Sequence, residues 1–167
     1  VKNYGGKVLL YGDTFDEAFD YATSLAKKDG FTFIHPYDDQ DVIVGQGTVG
    51  KELFDEIGSS IDAVFVPVGG GGLLAGLGTY LKSVSPNTKI IGVEPEDAAC
   101  LKLALENNKR LALKEVGLFA DGVAVKQIGK KTFSLIKDWI DDVVTVSVDE
   151  MCASVQDTFQ ETRIMSE

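Results

Sequence analysis

Several residue types are scarce in this sequence. Among 167 residues there are two cysteines, one histidine, one tryptophan and four prolines. Cys100 and Cys152 form no C-x-x-C pair, which excludes a disulfide framework or zinc ribbon and suits a reducing compartment. The single histidine, His35, has no serine or cysteine and acid marked around it, so no catalytic triad is indicated. Placed just before Pro36, it reads as a structural or solvent-facing residue. Basic side chains are outnumbered 16 to 26, giving a formal net charge of −10. That balance argues against nucleic acid, whose binding needs Lys/Arg clusters to displace counterions, and against an anionic membrane surface. No apolar run approaches the roughly 18 residues needed to span a bilayer. No charged segment leads into an apolar core after Val1, so no signal peptide is visible and cytoplasm is the expected compartment. The start at valine reads as an excerpt from a longer chain.

What is present is a globular composition, 44% apolar and 25% charged, with enough apolar surface to oppose disorder. Short apolar runs alternate with helical stretches. Residues 7–12 (KVLLYG) and 31–34 (FTFI) read as strands. Between them, Thr14 and Glu17 form a T-x-x-E capping box for a helix to about Lys28, ended by Gly30. A polar loop, YDDQDV, follows, and GQGT (45–48) leads into a helix, VGKELFDEIG, ending at Gly58. Residues 63–68 (AVFVPV) are an apolar run of the kind that parallel sheets bury on both faces. Further strands are expected at 89–94 and 143–148, and helices at 73–84, 97–107, 130–140 and from Asp149, as cap, to Arg163. Residues 110–128 are the least periodic. The alternation predicts an α/β fold: three layers, a mainly parallel sheet with helices on both faces.

Four consecutive glycines, Gly69, Gly70, Gly71 and Gly72, separate the AVFVPV strand from the helix beginning near Leu73. A simple turn needs one or two glycines, and each extra one adds backbone entropy to the unfolded chain. At a strand's carboxyl end and a helix's amino end, unpaired N–H groups and the helix dipole together favour an anion. Ligands of open α/β sheets bind at that edge. No Lys-Ser/Thr pair follows, so this is not a P-loop. A G-x-G-x-x-G match fails at Leu74, which disfavours a dinucleotide. A lone phosphate without metal fits the spacing better than a tight packing turn.

The string VPVGGGGLLAG resembles the phosphate loop of fold type II pyridoxal-phosphate enzymes, in the threonine/serine dehydratase branch. Residues 35–48 (HPYDDQDVIVGQGT), 92–105 (GVEPEDAACLKLAL), 116–129 (VGLFADGVAVKQIG) and 141–153 (DDVVTVSVDEMCA) are similar to the biosynthetic threonine dehydratases. The likeness runs along nearly the whole chain. It implies the large domain of that fold over residues 31–167, with residues 1–30 as the end of the small domain. It implies pyridoxal phosphate as cofactor and deamination of L-threonine to 2-oxobutanoate and ammonia, the entry to isoleucine synthesis. Gly69, Gly70, Gly71, Gly72 and Leu73 are then expected to hold the cofactor phosphate, Gly122 to lie near the ring, and Glu167 to approach from the far side. Family members of this kind are often tetramers with a regulatory domain that senses isoleucine and valine.

The family's Schiff-base lysine lies in a segment like S-F-K-x-R-G-A, and no such segment occurs here; the A-G-N-H-A-Q-G motif is missing too. No catalytic residue is therefore assigned within these residues, and the 167-residue chain alone is expected to be inactive. In related serine racemases, a glutamate at Glu94 and an aspartate six residues later help bind a divalent cation. Cys100 stands at that second position, and a thiol is a poor ligand for Mg²⁺ or Ca²⁺, so no metal site is expected. Cys100 reads as a small core residue. Asp38, Asp39 and Asp41 lack the spacing of a calcium loop and read as a solvated loop. Asp121 reads as a loop carboxylate and Glu150 as a first-turn helix acid. Serine dehydratase or racemase chemistry is the alternative within the family. A non-catalytic phosphate-binding module is the alternative outside it.

Overall fold

The computed structural model describes residues 1–165. They form two compact units that divide between Ile34 and His35.

In the first unit, helix α1 (Phe15–Asp29) is set by its ends. Thr14 accepts from the Glu17 amide, the Glu17 carboxylate accepts back from the Thr14 amide, and Gly30 closes the helix in the left-handed region at φ 73°. That is the capping box and glycine stop written in the sequence. The strands expected at 7–12 and 31–34 are not strands: no ladder forms at either segment. Alternation and β-branching supply a strand's propensity, but pairing supplies its hydrogen bonds, and neither segment has a partner strand among the described residues. Leu10 and Phe31 consequently remain 94% and 64% exposed.

The second unit is built on three parallel strands in the order β1 (Ala63–Pro67), β2 (Lys89–Pro95) and β3 (Asp142–Val146). Phe65 pairs with Ile91, and Gly92 with both Val66 and Val143. Between the strands run α3 (Gly72–Val84), α4 (Cys100–Glu106) and α5 (Lys130–Ile136). Helix α2 (Gln40–Ile57) precedes β1, and α6 (Val148–Thr162) follows β3. The apolar stripe of α3, Leu74, Leu77 and Leu81, packs with Val66, Val68, Ile90, Leu101, Ala104 and Ile136 into one core. Each Leu, Ile or Val among them contributes about 1.5–3 kcal/mol on burial.

Several boundaries move. The run 63–68 is not buried on both faces: Val66 is inside, while Ala63, Phe65 and Pro67 are exposed. Helix α2 begins at Gln40, inside the stretch expected to be a loop. Asp39 caps it by accepting from the Asp41 and Val42 amides. Its glycines, which look like breakers, let it lie against α3 backbone to backbone. A Cβ on Gly50 would stand 2.9 Å from the Leu77 carbonyl oxygen, and one on Gly76 would collide with the Ile43 carbonyl. The helix expected at 97–107 is split into a 3₁₀ turn, Glu96–Ala98, and α4. Helix α5 stops at Ile136, short of 140, and β3 covers Asp142–Val146 where 143–148 was expected. The cap of α6 is Ser147, not Asp149; it forms a capping box with Glu150. Accepting from the Ser147 amide holds the Glu150 carboxyl below its usual range.

At the start of β3, Asp141 accepts from the Ile90 amide and from Lys82 Nζ, each at 2.7 Å. The Lys82 ammonium, followed by the Ile90 amide, keeps this carboxyl below its ordinary value. No described helix is long and apolar enough to cross a membrane.

Candidate functional site

Strand β1 ends at Pro67, and the chain turns through Gly69, Gly70 and Gly71 into α3. Gly71 is the N-cap, at φ 90°, a conformation that a β-carbon would strain. The carbonyls of this turn are all engaged by the protein. Gly69 O accepts from Cys100 Sγ at 3.5 Å, and Gly70 O from Gly129 N at 3.1 Å and Thr132 Oγ1 at 2.8 Å. Gly71 O accepts from the Ala75 amide at 2.8 Å.

The amides behave oppositely. Among the described residues, the N–H groups of Gly69, Gly70, Gly71, Gly72, Leu73 and Leu74 donate to no protein acceptor. Gly70, Gly71 and Gly72 are buried residues. A buried donor left unpaired costs roughly 1–3 kcal/mol, so this cluster is unfavourable unless an acceptor reaches it. An anion at the N-terminus of α3 satisfies several of these groups at once and meets the positive end of the helix dipole. The donor set fits a phosphate monoester: backbone N–H groups, no carboxylate accepting from them, and no metal ligand among them.

The Cys100 thiol is a titratable group hydrogen-bonded to the run. Burial, followed by the adjacent Glu94 carboxylate, pushes the Cys100 thiol up to about 12, so it carries no charge beside Gly69. The core assignment of Cys100 holds; its exposure is 0%. Glu94 is equally buried and accepts from the Leu101 and Lys102 amides at 2.7 and 2.9 Å, capping α4. Burial raises its carboxyl, against the pull of those amides.

The four glycines have a second reason that spacing did not reveal. A Cβ on Gly70 would enter the Tyr37 ring, one on Gly72 would lie 3.0 Å from Tyr37 Cβ, and one on Gly69 would lie 3.0 Å from Val123 Cα. On Gly71 it would meet Ile128 Cδ1 at 2.6 Å. Packing alone demands small residues here, so the run by itself does not establish a phosphate loop. The orphaned amides carry that argument instead.

Leu73 sits in the first turn of α3, half-buried against the core. Gly122 lies in the 3₁₀ turn Asp121–Val123, exposed, with open space beside its Cα. Its neighbour Val123 is the residue against Gly69, so the turn stands beside the glycine run. Asp121 opens that turn and is not in an irregular loop. Glu167 lies outside the described residues.

His35 takes a structural place: its Nδ1 accepts from the Asp38 amide at 3.0 Å and the Tyr37 amide at 3.3 Å. Asp38 and Asp39 lie in the loop before α2, as expected, but both are half-buried and committed to helix ends. Asp39 caps α2, and Asp38 accepts from the Lys130, Lys131 and Thr132 amides at 2.9, 2.7 and 3.2 Å. Asp41 lies in the first turn of α2. A groove of about 780 Å³ runs along α2, α3 and α5, lined by Ile43, Val44, Gly76, Tyr80, Lys131 and Leu135 among others. None of the glycine-run residues lines it, so it is a separate surface.

The profile of the family described as "Pyridoxal-phosphate dependent enzyme" matches residues 1–167. The chain is 53% identical over 167 residues to threonine dehydratase 1 biosynthetic, chloroplastic, of Solanum lycopersicum, covering 100% of this chain and 28% of that one. It is 50% identical over 167 residues to the biosynthetic L-threonine dehydratase of Salmonella typhimurium, covering 100% of this chain and 32% of that one. Among solved structures, the processed form of threonine deaminase isoform 2 from Solanum lycopersicum superposes with a TM-score of 0.94 at 48% identity. That match covers 99% of this chain and 48% of the other. The chain thus spans about a third of the length of the curated relatives it matches.

Proposed function

This chain belongs to the pyridoxal-phosphate-dependent enzymes, and from that premise we propose that it is the phosphate-gripping segment of an L-threonine dehydratase of isoleucine biosynthesis. The whole enzyme converts L-threonine to 2-oxobutanoate and ammonia. The observation that carries this reading is the row of orphaned amides from Gly69 to Leu74, in a chain half identical to threonine dehydratases along its length. The bound cofactor supplies an electron sink that acidifies the substrate's α-hydrogen. The contribution of these residues is to bind and orient. The amides of Gly69, Gly70, Gly71, Gly72 and Leu73 hold the phosphate, and the glycines allow close approach. Gly122, in the turn beside Gly69, leaves room for the ring.

Residues 1–30 are the end of the small domain in this reading, and 31–167 the large domain. No lysine among them is assigned to the cofactor, so binding and chemistry separate. Cytoplasm is the proposed compartment, although the tomato relative is chloroplastic by name; fractionation of the source cells decides it. The parent is proposed to be a tetramer, which sedimentation tests.

Assaying release of the 2-oxo acid, 2-oxobutanoate from threonine and pyruvate from serine, tests the reading. The parent polypeptide containing this segment turns over threonine faster than serine, while the purified 167-residue chain binds the cofactor and shows no turnover. Preference for serine would move the assignment to serine dehydratase or racemase chemistry. Deamination by the chain alone would overturn the division of labour.

A further inference from the structure

The orientation of an amide is fixed by the carbonyl that shares its peptide plane. In a trans peptide the C=O and N–H point in opposite directions, and none of the described peptides is cis. The Gly70 carbonyl therefore sets the direction of the Gly71 N–H. That carbonyl is held by the first turn of α5, through Gly129 N and the Thr132 hydroxyl. Thr132 is fully buried, and its hydroxyl donates at 2.8 Å.

The turn of α5 is itself held from the far side. Asp38 accepts three of its amides, those of Lys130, Lys131 and Thr132. The fit is close: a Cβ on Gly129 would stand 2.5 Å from Asp38 Oδ1 and 2.6 Å from Thr132 Oγ1. One residue before Asp38, the Tyr37 ring lies against Gly70, so the same short segment touches the glycine run directly and through α5.

We propose that Thr132, seated by Asp38, is a positioning residue for the anion site: its hydroxyl clamps the Gly70 carbonyl and so aims the Gly71 N–H at the phosphate. This rests on the phosphate reading above. The clamp touches neither phosphate nor ring, so its loss weakens recognition of the phosphate and leaves recognition of the ring alone.

Pyridoxine 5′-phosphate, pyridoxine and inorganic phosphate are suitable probes, because none carries an aldehyde to react with surface lysines. Their affinities for the 167-residue chain are measured by calorimetry for the parent sequence, T132V and T132S. The expectation is that T132V binds pyridoxine 5′-phosphate and inorganic phosphate about five- to tenfold more weakly, because the buried hydroxyl bond is lost and Gly129 N alone is left to hold the carbonyl. T132S, which keeps the hydroxyl, binds as the parent does, and pyridoxine binding is the same in all three. If T132V loses its far-UV circular dichroism, D38N takes its place, with a loss of about threefold in the same direction as charged acceptance becomes neutral. A parent chain that prefers the phosphate ester with variants that bind equally well overturns the clamp alone. So does an equal loss for pyridoxine. A parent chain with no preference for the ester overturns the phosphate reading and the clamp together.

Discussion

At the scale of single residues, polar groups in this chain serve helix ends more than chemistry. Glu94 and Asp38 both invite a catalytic or metal role, yet both accept backbone amides at the starts of helices. His35 is the clearest case, because its role depends on its charge. Nδ1 accepts two amides, so the ring is neutral at that atom, and protonation would convert the acceptor to a donor. Burial lowers its pKa from 6.5, outweighing Asp38 and Asp39, which raise it. A depressed folded value means the unfolded chain binds the proton more readily. The contribution of His35 is therefore complete above the unfolded value and is lost as pH falls through the folded one. Unfolding free energies from urea titrations should fall as pH is lowered from about 7.5 to 5.5, by well under the roughly 1.4 kcal/mol per pH unit of a full proton, since the ring is partly open to solvent. The H35N variant should be less stable at the upper end and flatter across that window.

At the scale of elements, sequence legibility followed locality. The ends of α1 were legible because Thr14, Glu17 and Gly30 act within one turn of their own helix. Strands β1 and β2, and α3 after the glycine run, were legible from apolar runs and breakers. The Asp38 cap on α5 was not, because it joins residues 92 positions apart. The strands at 7–12 and 31–34 failed because a strand is a property of a pair. The start of α2 failed because glycine signals both breaking and close approach, and only the position of α3 distinguishes them. That distinction makes a paired prediction. Gly45 in α2 has no atom within 4 Å of a β-carbon, whereas Gly76 in α3 would collide with the Ile43 carbonyl. G45A should raise the unfolding free energy by about 0.5–1 kcal/mol through helix propensity. G76A should lower it by about 1–3 kcal/mol or more, because backbone has to move. Chemical denaturation of the two variants checks both signs.

At the scale of the whole molecule, the proposed phosphate loop was suggested by a glycine run between strand and helix, and the family followed from motifs spread along the chain. The reason for four glycines did not, since it lies in contacts with Tyr37, Val123 and Ile128 from distant parts of the sequence. The chain carries a net charge of −10, yet among the described residues the side chains hydrogen-bonded to the glycine run are those of Cys100 and Thr132, neither a carboxylate. The Cys100 thiol is protonated, and Asp38 is committed to α5. On the proposed reading, an acidic protein holds an anion with backbone dipoles. The most direct measurement is a ¹H–¹⁵N correlation titration of the labelled chain with pyridoxine 5′-phosphate. The amides of Gly70, Gly71, Gly72 and Leu73 should shift saturably and together, with inorganic phosphate moving the same peaks. If those peaks stay in place while the ligand saturates elsewhere, or nothing binds, the backbone of the glycine run is not a phosphate site and the account fails.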